Sequence, residues 1–80
     1  MTKGEYRVGI AFNPSNDDMV GQIKRKAADL IDLIETINTD GETDQYIEVS
    51  RLKALAQTHV EDAAMWAVKA ATKPAPEELT

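Results

Sequence analysis

The sequence predicts an all-α fold: an antiparallel two-helix hairpin with an N-terminal arm, assembled into a homo-oligomeric helical bundle. Three observations predict it. Apolar residues recur at alternating spacings of three and four over residues 20–37 and again over residues 49–70. A short polar stretch containing Gly41 separates the two runs. The chain has only 80 residues, below the size at which one monomeric core gives comfortable stability, so a hairpin of this length needs partners.

Residues 1–14 show no helical period and read as the arm. Tyr6, Val8, Ile10 and Phe12 alternate with other residues, which suits a short extended segment, while Gly4, Gly9 and Pro14 limit any element there. Asn13 precedes proline and is biased toward extended backbone, marking a boundary before the first helix. Ser15 and Asp18 stand in capping-box spacing, and Asp17 and Asp18 place two carboxylates at the positive end of the helix dipole. The seam of this helix runs Val20, Ile23, Ala27, Leu30, Ile34 and Ile37, widened by Ile31 and Leu33 to a face that suits a bundle. Residues 38–42 end it in a polar turn. Thr43 or Asp44 caps a second helix without glycine or proline before Pro74, about 28 residues and roughly 42 Å long. Its seam is Val49, Leu52, Ala56, His59, Ala63, Trp66 and Ala70, with Leu55, Val60, Ala64, Met65, Ala67 and Val68 spreading apolar surface around its C-terminal half. The reading is thus an arm over 1–14, a hairpin domain over 15–72 and a flexible tail over 73–80, where Pro74, Pro76 and the pair Glu77 and Glu78 stand.

These dimensions bear on assembly. A compact globule of this size has a radius of gyration of about 12 Å, too small to contain the second helix lengthwise. Between residues 63 and 71 Lys69 is the only charged residue, so the helix is apolar nearly all round and calls for neighbours on more than one side. Small alanines there permit close approach between copies, with Trp66 and Met65 filling the gaps.

Composition removes several function classes. Fourteen acidic against nine basic residues give a net charge of −5, which disfavours polymeric nucleic acid as a partner. The basic character is confined to the N-terminal third: residues 1–26 carry five basic and three acidic side chains, the remainder four and eleven. The absence of cysteine removes disulfides and cysteine zinc sites and points to a reducing, intracellular setting. No stretch is apolar for the roughly 18 residues that cross a bilayer, and the N-terminus has no signal-peptide core, so the expectation is a soluble cytosolic chain with no membrane partner. No P-loop, GxGxxG, HExxH or GxSxG is present, and the single histidine, His59, has no cysteine and only Glu61 and Asp62 in its neighbourhood, too few ligands for an ordinary zinc centre. His59 lies on the seam and reads as a core or interface residue. The expectation is a binding protein, not an enzyme, without cofactor or metal.

Five residues are candidates for ligand contact. Lys24 and Lys26 flank the first seam, with Arg25 pointing away; the run either forms a solvated face offsetting Asp29 and Asp32 or an anion site beside an interface. Phe12 either plugs the arm onto the helix start or stacks on a base. Asn13 serves a turn or offers donor and acceptor to a base edge. Lys69 either snorkels from the apolar stretch or gathers with its copies near a symmetry axis, where it attracts a multiply charged anion.

The run Phe12-Asn13-Pro14-Ser15 leading into Ile23-Lys24 and residues 27–32, and above all the run from His59 to Thr72 with Met65-Trp66-Ala67-Val68-Lys69-Ala70, resembles the phage-encoded anti-CBASS sponges, whose hairpin domain also occurs in anti-Thoeris sponges. The resemblance covers nearly the whole chain. It implies a homohexamer of hairpins in the host cytoplasm that captures cyclic oligonucleotide messengers without degrading them, so that CBASS effectors stay inactive. Cyclic dinucleotides, such as 3′,3′-cyclic GMP-AMP, would lie between paired subunits and cyclic trinucleotides in separate pockets on the three-fold axis. By position Phe12 takes the family's stacking role, Lys24 or Lys26 the phosphate role, and Asn13 and Lys69 the trinucleotide pocket. The family aromatic is often tyrosine, so Phe12 lacks a hydroxyl contact. The alternative is an adaptor hairpin that binds a protein partner through its apolar second helix.

Overall fold

A computed structural model describes residues 1–41 and 43–76. Three helices follow in order: α1 (Lys3–Val8), α2 (Asp18–Glu35) and α3 (Asp44–Thr72), with no strand among the described residues. Lys53 reaches the end of α2 at Glu35, Gln57 meets Ile31, and Lys24 near the start of α2 shares a groove with Ala64 and Val68. The pairing of early α3 with late α2, and late α3 with early α2, makes the two helices an antiparallel hairpin, as expected.

The N-terminal segment departs from the extended arm. Thr2 and Glu5 form a reciprocal capping box, and α1 ends at Gly9 in the left-handed region (φ 65°). There the Ile10 N–H donates to the Glu5 carbonyl (3.0 Å) and the Gly9 N–H to the Tyr6 carbonyl (3.3 Å), a Schellman closure that satisfies last-turn carbonyls. Gly4, read as a limit on structure, is instead the contact that docks α1: a Cβ there would stand 2.1 Å from the Ala28 carbonyl oxygen of α2. Its N–H donates to Asp32 Oδ1 at 2.7 Å, giving an unpaired first-turn donor a carboxylate partner. The missing side chain costs helix propensity and permits close approach.

Helix α2 starts later than the Ser15–Asp18 capping box predicts. Asp17 is the cap, accepting from the Met19 N–H (2.8 Å) and Val20 N–H (3.3 Å), because Asn16 adopts a left-handed conformation (φ 51°) that keeps Ser15 out of the helix. The helix also ends earlier, at Glu35, where the Thr36 hydroxyl donates to the Leu33 carbonyl and the Lys53 ammonium to the Glu35 and Ile37 carbonyls. Helix α3 begins at Asp44, after Thr43, and its 29 residues match the expected length. Of the expected tail, residues 77–80 lie outside the described residues.

The buried row is rotated from the predicted seam. On α2 it is Val20, Lys24, Ala28 and Ile31, whereas Leu30 and Ile37 are exposed; on α3 it is Gln57 and Ala64, whereas Leu52, Met65 and Trp66 are exposed. Two polar residues occupy the core line, each with its hydrogen bonds made. The Gln57 amide donates to the Ile31 carbonyl (3.1 Å) and Glu35 Oε2 (3.3 Å) and accepts from the Lys3 ammonium (3.1 Å), joining all three helices. Lys3 (2.5 Å) and Lys53 (3.2 Å) also pair with Glu35. The molecule is elongated, 57 × 24 × 13 Å with a radius of gyration of 15.9 Å. Among the described residues no helix is long and apolar enough to cross a membrane.

Candidate functional site

The turn between α1 and α2 gathers three of the five candidate residues. Gly9 reverses the chain, and the Phe12 N–H donates back to the Gly9 carbonyl (2.9 Å). From the second turn of α2, the Lys24 ammonium donates to the Gly9 carbonyl at 3.0 Å and to the Phe12 carbonyl, and lies 5.3 Å from the centroid of the Phe12 ring. Lys24 is buried, whereas Phe12 is 71% exposed. Asn13 brackets the start of α2: its amide donates to the Asp17 carbonyl (2.8 Å) and accepts the Asp17 N–H (3.1 Å). Within the single chain both ends of that amide are therefore engaged.

Lys26 and Lys69 take no part in this turn. Lys26 is exposed and makes no ion pair among the described residues. Lys69 is exposed on α3 and lies 5.2 Å from the centroid of the Trp66 ring.

Beside the turn, the three helices enclose a groove of about 510 Å³. Lys24 lies on its wall. Val8, Ala64, Met65 and Val68 supply apolar surface, and Arg7, Thr58, His59, Glu61 and Asp62 supply polar groups. Arg7 Nε donates to Glu61 Oε1 at 2.7 Å, tying α1 to α3 across the groove. His59 is exposed in the single chain and is not a core residue there. Sequence reasoning passed over Arg7, Thr58 and Gln57. The available signal was Thr2-Lys3-Gly4-Glu5, a capping-box pattern that marks a helix and puts Lys3 and Arg7 one turn apart on it.

The electrostatics fasten α1. Arg25 donates to Glu5 at 2.8 Å and pairs with Asp29 at 2.8 Å. The Arg25 hydrogen bond, followed by the Thr2 N–H, holds the Glu5 carboxyl down at about 2, and the Arg25 guanidinium is raised in turn. Glu35 is likewise held at about 2, chiefly by Lys3, then by Gln57 and Lys53. Among the described residues no group of three or more His, Cys, Asp or Glu side chains is placed to hold a metal ion. The arrangement offers an exposed ring for stacking, one cation, the Lys24 ammonium, beside it and a partly apolar groove, which is equipment for binding.

The sequence matches the family model of the Acb2/Tad1 hairpin domain over residues 5–72. No individual curated protein and no solved structure shows significant similarity to it. The match takes in most of α1, the Phe12–Lys24 turn and both long helices, and with it the chain belongs to the Acb2/Tad1 hairpin family, the anti-CBASS and anti-Thoeris sponges, whose general role is to bind cyclic oligonucleotides and not to transform them.

Proposed function

We propose that this protein is a phage-encoded sponge that acts in the host cytoplasm. It sequesters cyclic dinucleotides, 3′,3′-cyclic GMP-AMP among them, and in a second type of pocket cyclic trinucleotides, without cleaving them, and so keeps CBASS effectors inactive. The observation that carries the ligand class is the Phe12 ring, 71% exposed with the Lys24 ammonium 5.3 Å from its centroid. A large ring is costly to leave in water, and a planar base is the partner that uses its whole face. In this reading Phe12 stacks on a base, a lysine of the 24–26 run meets the phosphates, and Asn13 and Lys69 serve the trinucleotide pocket.

The assembly is proposed to be a homohexamer whose ligand sites lie between chains. The support is surface. The chain exposes 5901 Å², against roughly 4,800 Å² for a compact monomer of this mass. Leu33, Leu52, Met65 and Trp66 are among the exposed large side chains. The same apolar α3 surface favours the adaptor reading, in which a different protein covers it. Titration calorimetry with 3′,3′-cyclic GMP-AMP, followed by chromatography of the ligand released on denaturation, tests the proposal. Intact ligand is expected. No heat with any of several cyclic dinucleotides at high micromolar concentration would remove the dinucleotide reading, and stoichiometric capture of a protein with no nucleotide would favour the adaptor.

A further inference from the structure

Lys24 and Lys26 stand two residues apart, and the structure puts them to different uses. The Lys24 ammonium has three N–H donors. Two are taken by the carbonyls of Gly9 and Phe12, the residues at the two ends of the turn after α1, and the charge sits 5.3 Å from the Phe12 ring centroid. The residue is 8% exposed. A buried ammonium is stable only where its donors are met, and here the partners are backbone atoms of the segment that carries the aromatic ring. Lys26 is exposed and makes no ion pair among the described residues.

We propose that Lys24 is a positioning residue: its ammonium clamps residues 9–12 so that the Phe12 ring stands out from the surface in one orientation, and phosphate contact falls to Lys26. The clamp links two ends of one device. The Gly9 carbonyl lies just past the C-terminus of α1, so Lys24 also complements the negative end of that short helix and couples its docking to the ring. The division of labour between the lysines rests on the cyclic-dinucleotide reading; the clamp itself does not.

The experiment therefore has a ligand-free arm. Phe12 is the only phenylalanine in the sequence, so full-length protein made with fluorophenylalanine gives one ¹⁹F resonance. Lys24→Met keeps the aliphatic stem and removes the charge. It should shift and broaden that resonance while helix content stays constant, and Lys26→Met should leave it unchanged. An unmoved resonance in folded Lys24→Met protein would overturn the clamp. Should Lys24→Met not fold, the unaltered protein decides: at low temperature the Lys24 ammonium protons should show a nuclear Overhauser contact to the Phe12 ring, and its absence would overturn the clamp equally.

The second arm uses 3′,3′-cyclic GMP-AMP. Lys24→Met should weaken binding about tenfold in otherwise unaltered protein and by less than about twofold in Phe12→Ala protein, the non-additivity expected of residues acting through one another. Lys26→Met should weaken binding in both backgrounds and flatten its salt dependence. A Lys24→Met loss that persists in Phe12→Ala protein and removes the salt dependence would show direct phosphate contact and overturn the division of labour. Unaltered protein that binds no cyclic dinucleotide overturns that division and the dinucleotide reading together, while the fluorine arm still judges the clamp.

Discussion

Replacing Gly4 by alanine sets helix propensity against packing, and the structure decides the sign. Propensity alone favours alanine by at most about 1 kcal/mol. The new Cβ, however, would lie 2.1 Å from the Ala28 carbonyl oxygen and 2.8 Å from Asp32 Oδ1. Relief to an ordinary separation requires α1 to withdraw by about 1.3 Å, which carries the Gly4 N–H, now 2.7 Å from Asp32 Oδ1, out to about 4 Å and beyond hydrogen-bond reach. A hydrogen bond to a charged group contributes about 1.5–3 kcal/mol, so after a propensity gain of about 1 kcal/mol the net loss in α1 docking is about 0.5–2 kcal/mol. Amide exchange reads this directly at Tyr6, Gly9 and Ile10, whose N–H groups close the short helix. Gly4→Ala should accelerate exchange there about 2- to 30-fold. The internal control is Gly21, inside α2, where a Cβ would meet only Asn13 Nδ2 at 3.8 Å. Gly21→Ala should stabilise the protein by about 0.5–1 kcal/mol. Unchanged or slower exchange in Gly4→Ala protein would refute the close-approach argument.

Gln57→Leu is close in volume but leaves the Ile31 carbonyl and the Lys3 ammonium without their amide partner, so urea denaturation should report a loss of about 2–3 kcal/mol. Glu5 and Glu35 sit at about 2 when folded, below the ordinary 4.5, so the unfolded chain binds more protons across that interval. Stability should accordingly be full above about pH 4.5 and fall as the pH drops toward 2, and Glu35→Gln should reduce that acid dependence in pH-jump melts. Arg7→Met should cost less than about 1 kcal/mol because the partner carboxylate of Glu61 is well exposed, as thermal melts at fixed concentration will show. Trp66 is 57% exposed in the single chain; under the proposed assembly its emission should be blue-shifted at high protein concentration and move red on dilution, and a spectrum constant from nanomolar to micromolar would count against self-association through α3.

How much of this was legible depended on whether the governing residue announces itself by type. The start of α3 was readable because Thr43 and Asp44 follow a glycine turn and precede a long run free of breakers. The hairpin topology followed from that turn. Helix α1 is not legible because the local propensity of Gly4 argues against it, whereas the deciding fact is the approach of Ala28 on another helix, which no local window contains. The start of α2 slipped from Ser15 to Asp17 for a similar reason: Asn13 holds Asp17 from both sides, and Asn16 takes the left-handed turn that separates them. The core row was misplaced because two of its members are Lys24 and Gln57. A period built from apolar residues passes over polar ones, although a lysine stem or a satisfied amide fills the same line. Phe12, Asn13 and Lys24 were singled out by residue type, and the structure brings them to one turn; that Lys24 faces backbone carbonyls is a tertiary fact.

The rotation between predicted and observed rows has a physical meaning of its own. On both long helices the most regular apolar stripe is not the one the chain buries against itself. In the self-facing row only Val20 and Ile31 are large and apolar; Ala28, Ala64, Gln57 and the stem of Lys24 allow α1, α2 and α3 to approach closely and fix their register through directed hydrogen bonds. The outer row carries Leu30, Leu52, Met65 and Trp66, side chains whose contribution is area. A monomer selected for its own stability would bring more of these large apolar groups inside and leave the lysine outside. The observed arrangement follows if the single chain is built as a thin, polar-keyed part whose larger hydrophobic gain comes on assembly, which is the order of events the proposed oligomer requires. It also bears on the site: a turn held by a buried ammonium and a docked helix keeps its aromatic ring in place before any partner arrives, so that ordering Phe12 is not a cost left to ligand binding.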